Sequence, residues 1–257
     1  MYEEYLEFAK QLAYEAGDIM RKYFRTVDRT WKEDATPLTL ADTSINTLVI
    51  KRIGERFPNH SVLGEEESVM NGGKLTWVCD PVDGTMPFSH GLPIATFSLA
   101  LCDEGSPIVG VVYDPFMDRL FWGSRGGGAF CNEEELSVNK IQLSENALID
   151  IEGYEKSIIP FKRPLDIMLY ERGAKSTHLW SAIISAVLVA DGQFSGSIFC
   201  LNKPEDGAAI SVIVREAGGI VTDIYGNEQR YDQPTNGFIA SNGVIHDDLL
   251  NLIQEAI

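Results

Sequence analysis

Leu75-Thr76-Trp77-Val78-Cys79-Asp80-Pro81-Val82-Asp83-Gly84-Thr85 is an apolar run that ends abruptly in charge. Leu75–Cys79 has the length and residue types of a buried strand, and the acids follow at its end. Asp80 and Asp83 lie three positions apart with a proline fixing the turn between them. They can therefore converge on one hard cation, with the Val82 carbonyl as a neutral oxygen ligand. Magnesium is the natural candidate. Gly84 lets backbone amides approach a ligand, Thr85 adds a hydroxyl, and a helix starting here would turn free N–H groups toward an anion. Taken alone, Asp83-Gly84 is an ordinary turn and Asp80 a helix cap.

Around this segment, short β-rich runs alternate with turns at Ser61–Leu63, Ile94–Leu101, Ile108–Tyr113, Leu120–Gly123, Ala147–Ile151 and Gln193–Phe199. Gly126-Gly127-Gly128 lacks the Lys-Ser/Thr of a phosphate loop and reads as a hairpin turn. Apolar residues recur at helical spacing from Glu4 to Phe24, Ala41 to Arg56, His178 to Ala190, Pro204 to Glu216 and Ile245 to Ala256. Pro204 suits a first helical turn and Gly218-Gly219 a C-terminal cap, with strands expected at Ile220–Ile224 and Phe238–Ser241. Helices and strands without strict βαβ alternation predict an α+β protein, its sheets covered by helices.

At 257 residues and 44% hydrophobic content, the chain can bury a large core as one domain, with a soft lobe division near 140–150. Cys79, Cys102, Cys131 and Cys200 lack CxxC or zinc-finger spacing, which points to reduced thiols and a cytoplasmic protein. The acidic start, Tyr2-Glu3-Glu4, is unlike a secretory signal, and every apolar segment is interrupted before membrane-spanning length. A formal charge of -17 with scattered Lys and Arg argues against nucleic acid as a partner. Neither membrane nor nucleic acid is expected as a partner.

Further acids stand at the ends of other elements: Gly64-Glu65-Glu66-Glu67 after the run Ser61–Leu63, and Asp206 just inside the helix from Pro204. With Lys32, Thr39 and Asp42 upstream, then Asp206-Gly207-Ala208-Ala209 and Glu216-Ala217-Gly218-Gly219 downstream, the ordered set resembles the inositol monophosphatase family of magnesium-dependent, lithium-sensitive phosphatases. The resemblance implies a layered α-β-α-β-α sandwich of the inositol monophosphatase and fructose-1,6-bisphosphatase type. It implies two or three Mg²⁺ ions. Glu65, Asp80 and the Val82 carbonyl would hold one, and Asp80, Asp83 and Asp206 a second, with Asp80 bridging. The amides of Gly84 and Thr85 would hold the phosphate, while Asp42, Thr85 and Glu65 would orient and deprotonate the attacking water. A homodimer is implied as well.

The activity implied is a phosphomonoesterase acting on a small phosphorylated metabolite, an inositol phosphate or related sugar phosphate, with histidinol phosphate, fructose 1,6-bisphosphate or a 3'-phosphonucleotide as alternatives. A non-catalytic metal- or anion-binding regulator of the same fold is the alternative from another class. The chain departs from the family pattern at Met86-Pro87-Phe88, at Glu205 in place of a tryptophan with Lys203 just before it, and at Phe199, where inositol-specific relatives carry a glutamate. Thr177-His178-Leu179-Trp180-Ser181-Ala182 is somewhat similar to a histidinol-phosphatase segment but has Ala182 in place of its acid. Arg172, Lys175 and His178 are candidates for steering an anionic substrate.

Overall fold

The computed structural model describes residues 2–26, 30–31, 37–153 and 162–256, with the side chains of 162–164 left out. Lys32 lies outside the described residues. Helices run α1 Glu3–Tyr23, α2 Leu40–Arg56, α3 Thr85–Ser89, α4 Lys162–Glu171, α5 Ala182–Ala190, α6 Pro204–Glu216 and α7 His246–Ala256. The strands are β1 Thr30–Trp31, β2 Pro37–Leu38, β3 Ser61–Gly64, β4 Leu75–Asp83, β5 Thr96–Asp103, β6 Ser106–Asp114, β7 Arg119–Ser124, β8 Gly128–Cys131 and β9 Glu134–Glu135. They continue with β10 Leu148–Glu152, β11 Lys175–Thr177, β12 Gly196–Phe199, β13 Ile220–Thr222 and β14 Phe238–Ser241.

Strands β3 to β9 form a seven-stranded sheet in chain order, and β11-β10-β12-β14-β13 form a five-stranded one. Because successive side chains of a strand point to opposite faces, each sheet feeds two cores. Trp77, Cys79, Leu99, Leu101, Val109 and Val111 pack with Leu12, Ala16 and Ile45 of α1 and α2. The alternate residues Val78, Ala100, Cys102 and Val112 face α5 and α6, where they meet Phe199, Phe238 and Ala240 of the second sheet. Ile149, Ile151, Ile198 and Ile239 point the other way, into a third core with Leu165, Leu249 and Ile253 of α4 and α7. Three cores between five layers give the expected α-β-α-β-α order.

The glycine cluster Gly126-Gly127-Gly128 forms the β7–β8 hairpin turn, closed where Ser124 pairs with Gly128. The Gly126 and Gly128 amides donate to the Glu216 carboxylate at 2.8 and 2.9 Å, so the glycine cluster and the helix-end acid are two halves of one contact.

Candidate active site

Strand β4 does not stop at Cys79 as expected but continues through Asp83. Its pairing with β5 passes from Asp80↔Ser98 to Asp83↔Thr96, three residues against two, which is a β-bulge. In a regular strand Asp80 and Asp83 would point to opposite faces, since their separation is odd. The extra residue restores phase. Asp80 shares the inner face with Val78, and Asp83 returns to that face opposite Thr96, while Val82 turns outward into the core under α1 and α2. Pro81 has no N–H to donate, so the ladder loses little where it is interrupted.

The inner face looks at the first turn of α6. Ligand oxygens of Asp80, Asp83 and Asp206 all lie within 4.8 Å of one another, and all three residues are buried. Burial drives the Asp80 carboxyl well above the usual range, with the charges of Glu65, Asp206 and Asp83 adding to it. Burial does the same to Asp206, partly offset by Lys203. Asp83 is pushed up to about 6 by burial, against the hydrogen bonds of Ser181, Ile183 and Ile184. Opposite Asp80, the buried Ser98 hydroxyl finds no hydrogen-bond partner among the described residues. A crowd of buried carboxylates whose negative charge is undercompensated is the donor set of a hard divalent cation such as Mg²⁺.

Glu65 enters from the neighbouring strand. β3 runs parallel to β4 with Gly64 beside Cys79, and the Glu65 amide donates to the Cys79 carbonyl at 3.2 Å, which brings Glu65 level with Asp80. Its Oε1 accepts from Lys203 Nζ at 2.7 Å. Burial alone would lower the Lys203 pKa, but Glu65 and Asp206 outweigh it and raise it. Lys203 is thus a fixed cation.

On the other side stands Asp42, fully buried at the third position of α2. Its Oδ2 accepts from the Thr39 amide at 2.8 Å and from the Thr39 hydroxyl at 2.5 Å, closing a capping box. Its Oδ1 lies 3.2 Å from the Thr85 hydroxyl, which also reaches the Val82 carbonyl at 2.8 Å. Burial pushes Asp42 up to about 6, against the Thr39 bonds and with help from Glu65 and Glu66. Gly84, at φ 78, turns the chain from β4 into α3. A side chain there would meet the Ile94 carbonyl at 2.6 Å and Ser181 at 3.1 Å, so the turn requires glycine.

The structure therefore brings Asp42, Glu65, Asp80, Val82, Asp83, Gly84, Thr85 and Asp206 to one place, in contact directly or through one neighbour. Sequence reading missed Ser181, whose hydroxyl donates to Asp83 Oδ2 while the Ile183 amide reaches the same oxygen at 3.1 Å. The signal was present: a serine directly before the apolar run Ala182–Ala190 is an N-cap pattern. Of the candidate steering residues, Arg172 forms an exposed ion pair with Glu255 of α7 at 3.0 Å.

A bulged strand end, an acid beside it on a parallel neighbour and an acid at a facing helix start lie together, and comparison with known proteins decides the family. The inositol monophosphatase family model matches residues 1–257. The chain belongs to the inositol monophosphatase family. It is by that membership a phosphoric monoester hydrolase. It is 32% identical over 255 residues to a fructose-1,6-bisphosphatase/inositol-1-monophosphatase of Thermotoga maritima, covering 98% of this chain and 96% of that protein. A histidinol-phosphatase of Chlorobaculum parvum is also 32% identical, over 96% of each chain. Among solved structures, a Thermotoga maritima IMPase superposes with a TM-score of 0.90 at 29% identity, covering 98% of both chains. Among the described residues, no helix is long and apolar enough to cross a membrane.

Proposed function

We propose that the chain hydrolyses a small phosphomonoester with Mg²⁺, the cations being held by Glu65, Asp80, the Val82 carbonyl, Asp83 and Asp206, two or three to a site. The observation that carries this reading is the convergence of Asp80, Asp83 and Asp206 within 4.8 Å in a buried pocket of oxygens. Mg²⁺, when bound there, supplies the positive charge that offsets the phosphoryl oxygens and lowers the pKa of the attacking water.

The remaining chemistry falls to the chain's own groups. The Thr85 hydroxyl has one proton for two acceptors, Asp42 Oδ1 and the Val82 carbonyl. With the Val82 carbonyl engaged elsewhere, that proton goes to Asp42, and the Thr85 oxygen is free to accept from water. Asp42, as the acceptor of the Thr85 proton, is placed to share in proton removal from the water. Glu65 faces the same region beside Lys203 and serves as the second carboxylate that orients the water. The Gly84 and Thr85 amides, at the turn into α3, are the phosphate donors in this reading.

The substrate is a sugar or inositol phosphate in the leading form of the proposal. Phe199 is buried in the core instead of presenting an acid, which favours a second reading outside inositol, and the histidinol-phosphatase relative supplies one example. Residues 1–257 act as one unit in this account, supported by α6, which packs on both sheets. A cytoplasmic homodimer is part of the same proposal, to be checked by light scattering and cell fractionation. The functional test is phosphate release from inositol 1-phosphate, fructose 1,6-bisphosphate, histidinol phosphate and a 3'-phosphonucleotide, with Mg²⁺, then with EDTA or lithium. Turnover on one or more, abolished by EDTA and inhibited by lithium, is expected. Metal-dependent turnover on none would favour a non-catalytic binding protein.

A further inference from the structure

Trp180 adopts φ 61, in the left-handed region that a bulky side chain rarely occupies. Its surroundings hold it there. Glu152 Oε1 accepts from the Trp180 amide at 2.5 Å, and Asp150 Oδ1 from the Leu179 amide at 3.1 Å. Both acids lie on the inner face of β10, since Ile149 and Ile151, which alternate with them, face the outer core. His178 Nδ1 reaches the Ile151 carbonyl at 2.9 Å and Glu152 Oε2 at 3.1 Å, and its ring meets the indole of Trp180 at 4.4 Å and 59°.

The other end of the turn is fixed on the candidate metal site. Ser181, the next residue, donates to Asp83 and caps α5. A side chain at Gly84 would come within 3.1 Å of Ser181, so the turn and the Gly84 bend are in contact. Residues 178–181 are thus clamped between two buried acids of β10 and one carboxylate of the reactive centre. In the middle stands a tryptophan with 40% of its surface exposed. Strain of this kind, maintained by surrounding structure next to a site, is a sign of function.

We propose that Trp180 is a specificity-determining residue: its indole is the surface on which the leaving group of the phosphomonoester stacks, selecting esters that carry a flat π ring over ring-free polyol esters. The inference rests on the phosphatase reading and narrows its substrate class. An indole on a clamped turn offers a large, uncharged contact beside carboxylates, with little conformational entropy left to lose. Stacking a ring on an aromatic side chain discriminates by roughly 5- to 100-fold.

Phenyl phosphate and glycerol 2-phosphate, both monoesters, differ in the ring and serve as probes. The expected result is a fall in the phenyl-to-glycerol ratio of kcat/KM by roughly 5- to 100-fold in Trp180→Gly, read mainly in KM, with most of the ratio kept in Trp180→Phe. Glycine suits φ 61 without strain, so the variant is built to fold. A purely structural Trp180, acting through Ser181 on Asp83, would instead weaken Mg²⁺ binding by calorimetry and slow both esters equally. That result, or an unchanged ratio, overturns the proposal. Calorimetric binding of each ester with Mg²⁺ present provides the same comparison without turnover. If neither ester is hydrolysed but the wild type binds phenyl phosphate preferentially and Trp180→Gly does not, Trp180 stands and the phosphatase reading falls. Equal binding of both esters to the wild type overturns the role of Trp180.

Discussion

Lys203 Nζ lies 2.7 Å from Glu65 Oε1, which sets an ammonium among the carboxylates that are candidates to hold a divalent cation. Lys203 offsets part of the negative charge on Asp80 and Asp206 as well. In the absence of metal it stabilises the site; toward an incoming cation it is a like charge and a competitor for Glu65. Lys203→Met is expected to bind Mg²⁺ on the order of tenfold more tightly by calorimetry. The same variant without metal should be less stable by about 1–3 kcal/mol in urea, because Glu65 loses the Lys203 ammonium. Unchanged Mg²⁺ affinity would remove Lys203 from the account.

Gly84 is the hinge between β4 and α3. Alanine there would sit at φ 78 with its Cβ 2.6 Å from the Ile94 carbonyl, a backbone atom with little room to yield. Gly84→Ala should destabilise the chain by about 1–3 kcal/mol and depress turnover further than the stability loss explains, because the Thr85 amide and hydroxyl shift together. Urea midpoints and kcat on the same preparation check this. A variant of wild-type stability would mean the turn has slack that the geometry denies.

Glu152, outside the proposed ligand set but within reach of the Asp83 charge, gives a pH signature of its own. Burial, reinforced by the Asp150 charge, pushes it up to about 9 from an ordinary value of 4.5. The folded state then holds a proton that the unfolded state has released between those values. Its stabilising contribution is fully present below about 4.5 and is lost as pH rises through 9. Across roughly pH 5–9 the wild type should lose stability relative to Glu152→Gln, with a slope of up to about 1.4 kcal/mol per pH unit in metal-free urea titrations. Parallel curves for the two proteins would contradict a protonated Glu152.

Much of this was legible in the chain. The amphipathic runs of α1, α2, α6 and α7 gave nearly their observed limits, because a long periodic apolar face has few alternatives. The acids of the site were found through residue type and order. Their convergence was not readable from spacing alone: Asp80 and Asp83 share a face only through a one-residue bulge, and the sequence trace of that bulge is a single proline. The helix expected from His178 begins instead at Ala182, because Trp180 and Ser181 form a left-handed turn and a cap that apolar periodicity does not register. Helix α4 escapes a sequence reading for a similar reason. Pro164 in its run reads as a breaker, whereas in the first turn of a helix it is tolerated. The two-residue strands β1, β2 and β9 are too short to carry a pattern.

The central claim is that Asp80, Asp83 and Asp206 hold the cation on which hydrolysis depends, and Asp80→Asn addresses it most directly. Mg²⁺ should be titrated calorimetrically into wild type and variant, with phosphate release and urea midpoint measured on the same samples. The expected result is Mg²⁺ binding and EDTA-sensitive turnover in the wild type. In Asp80→Asn both should fall by roughly 100-fold or more, with a metal-free midpoint that is unchanged or higher because the cost of burying an ionisable carboxyl among other acids has been removed. Turnover at the wild-type rate in Asp80→Asn, or undiminished turnover of the wild type in EDTA, would contradict the account.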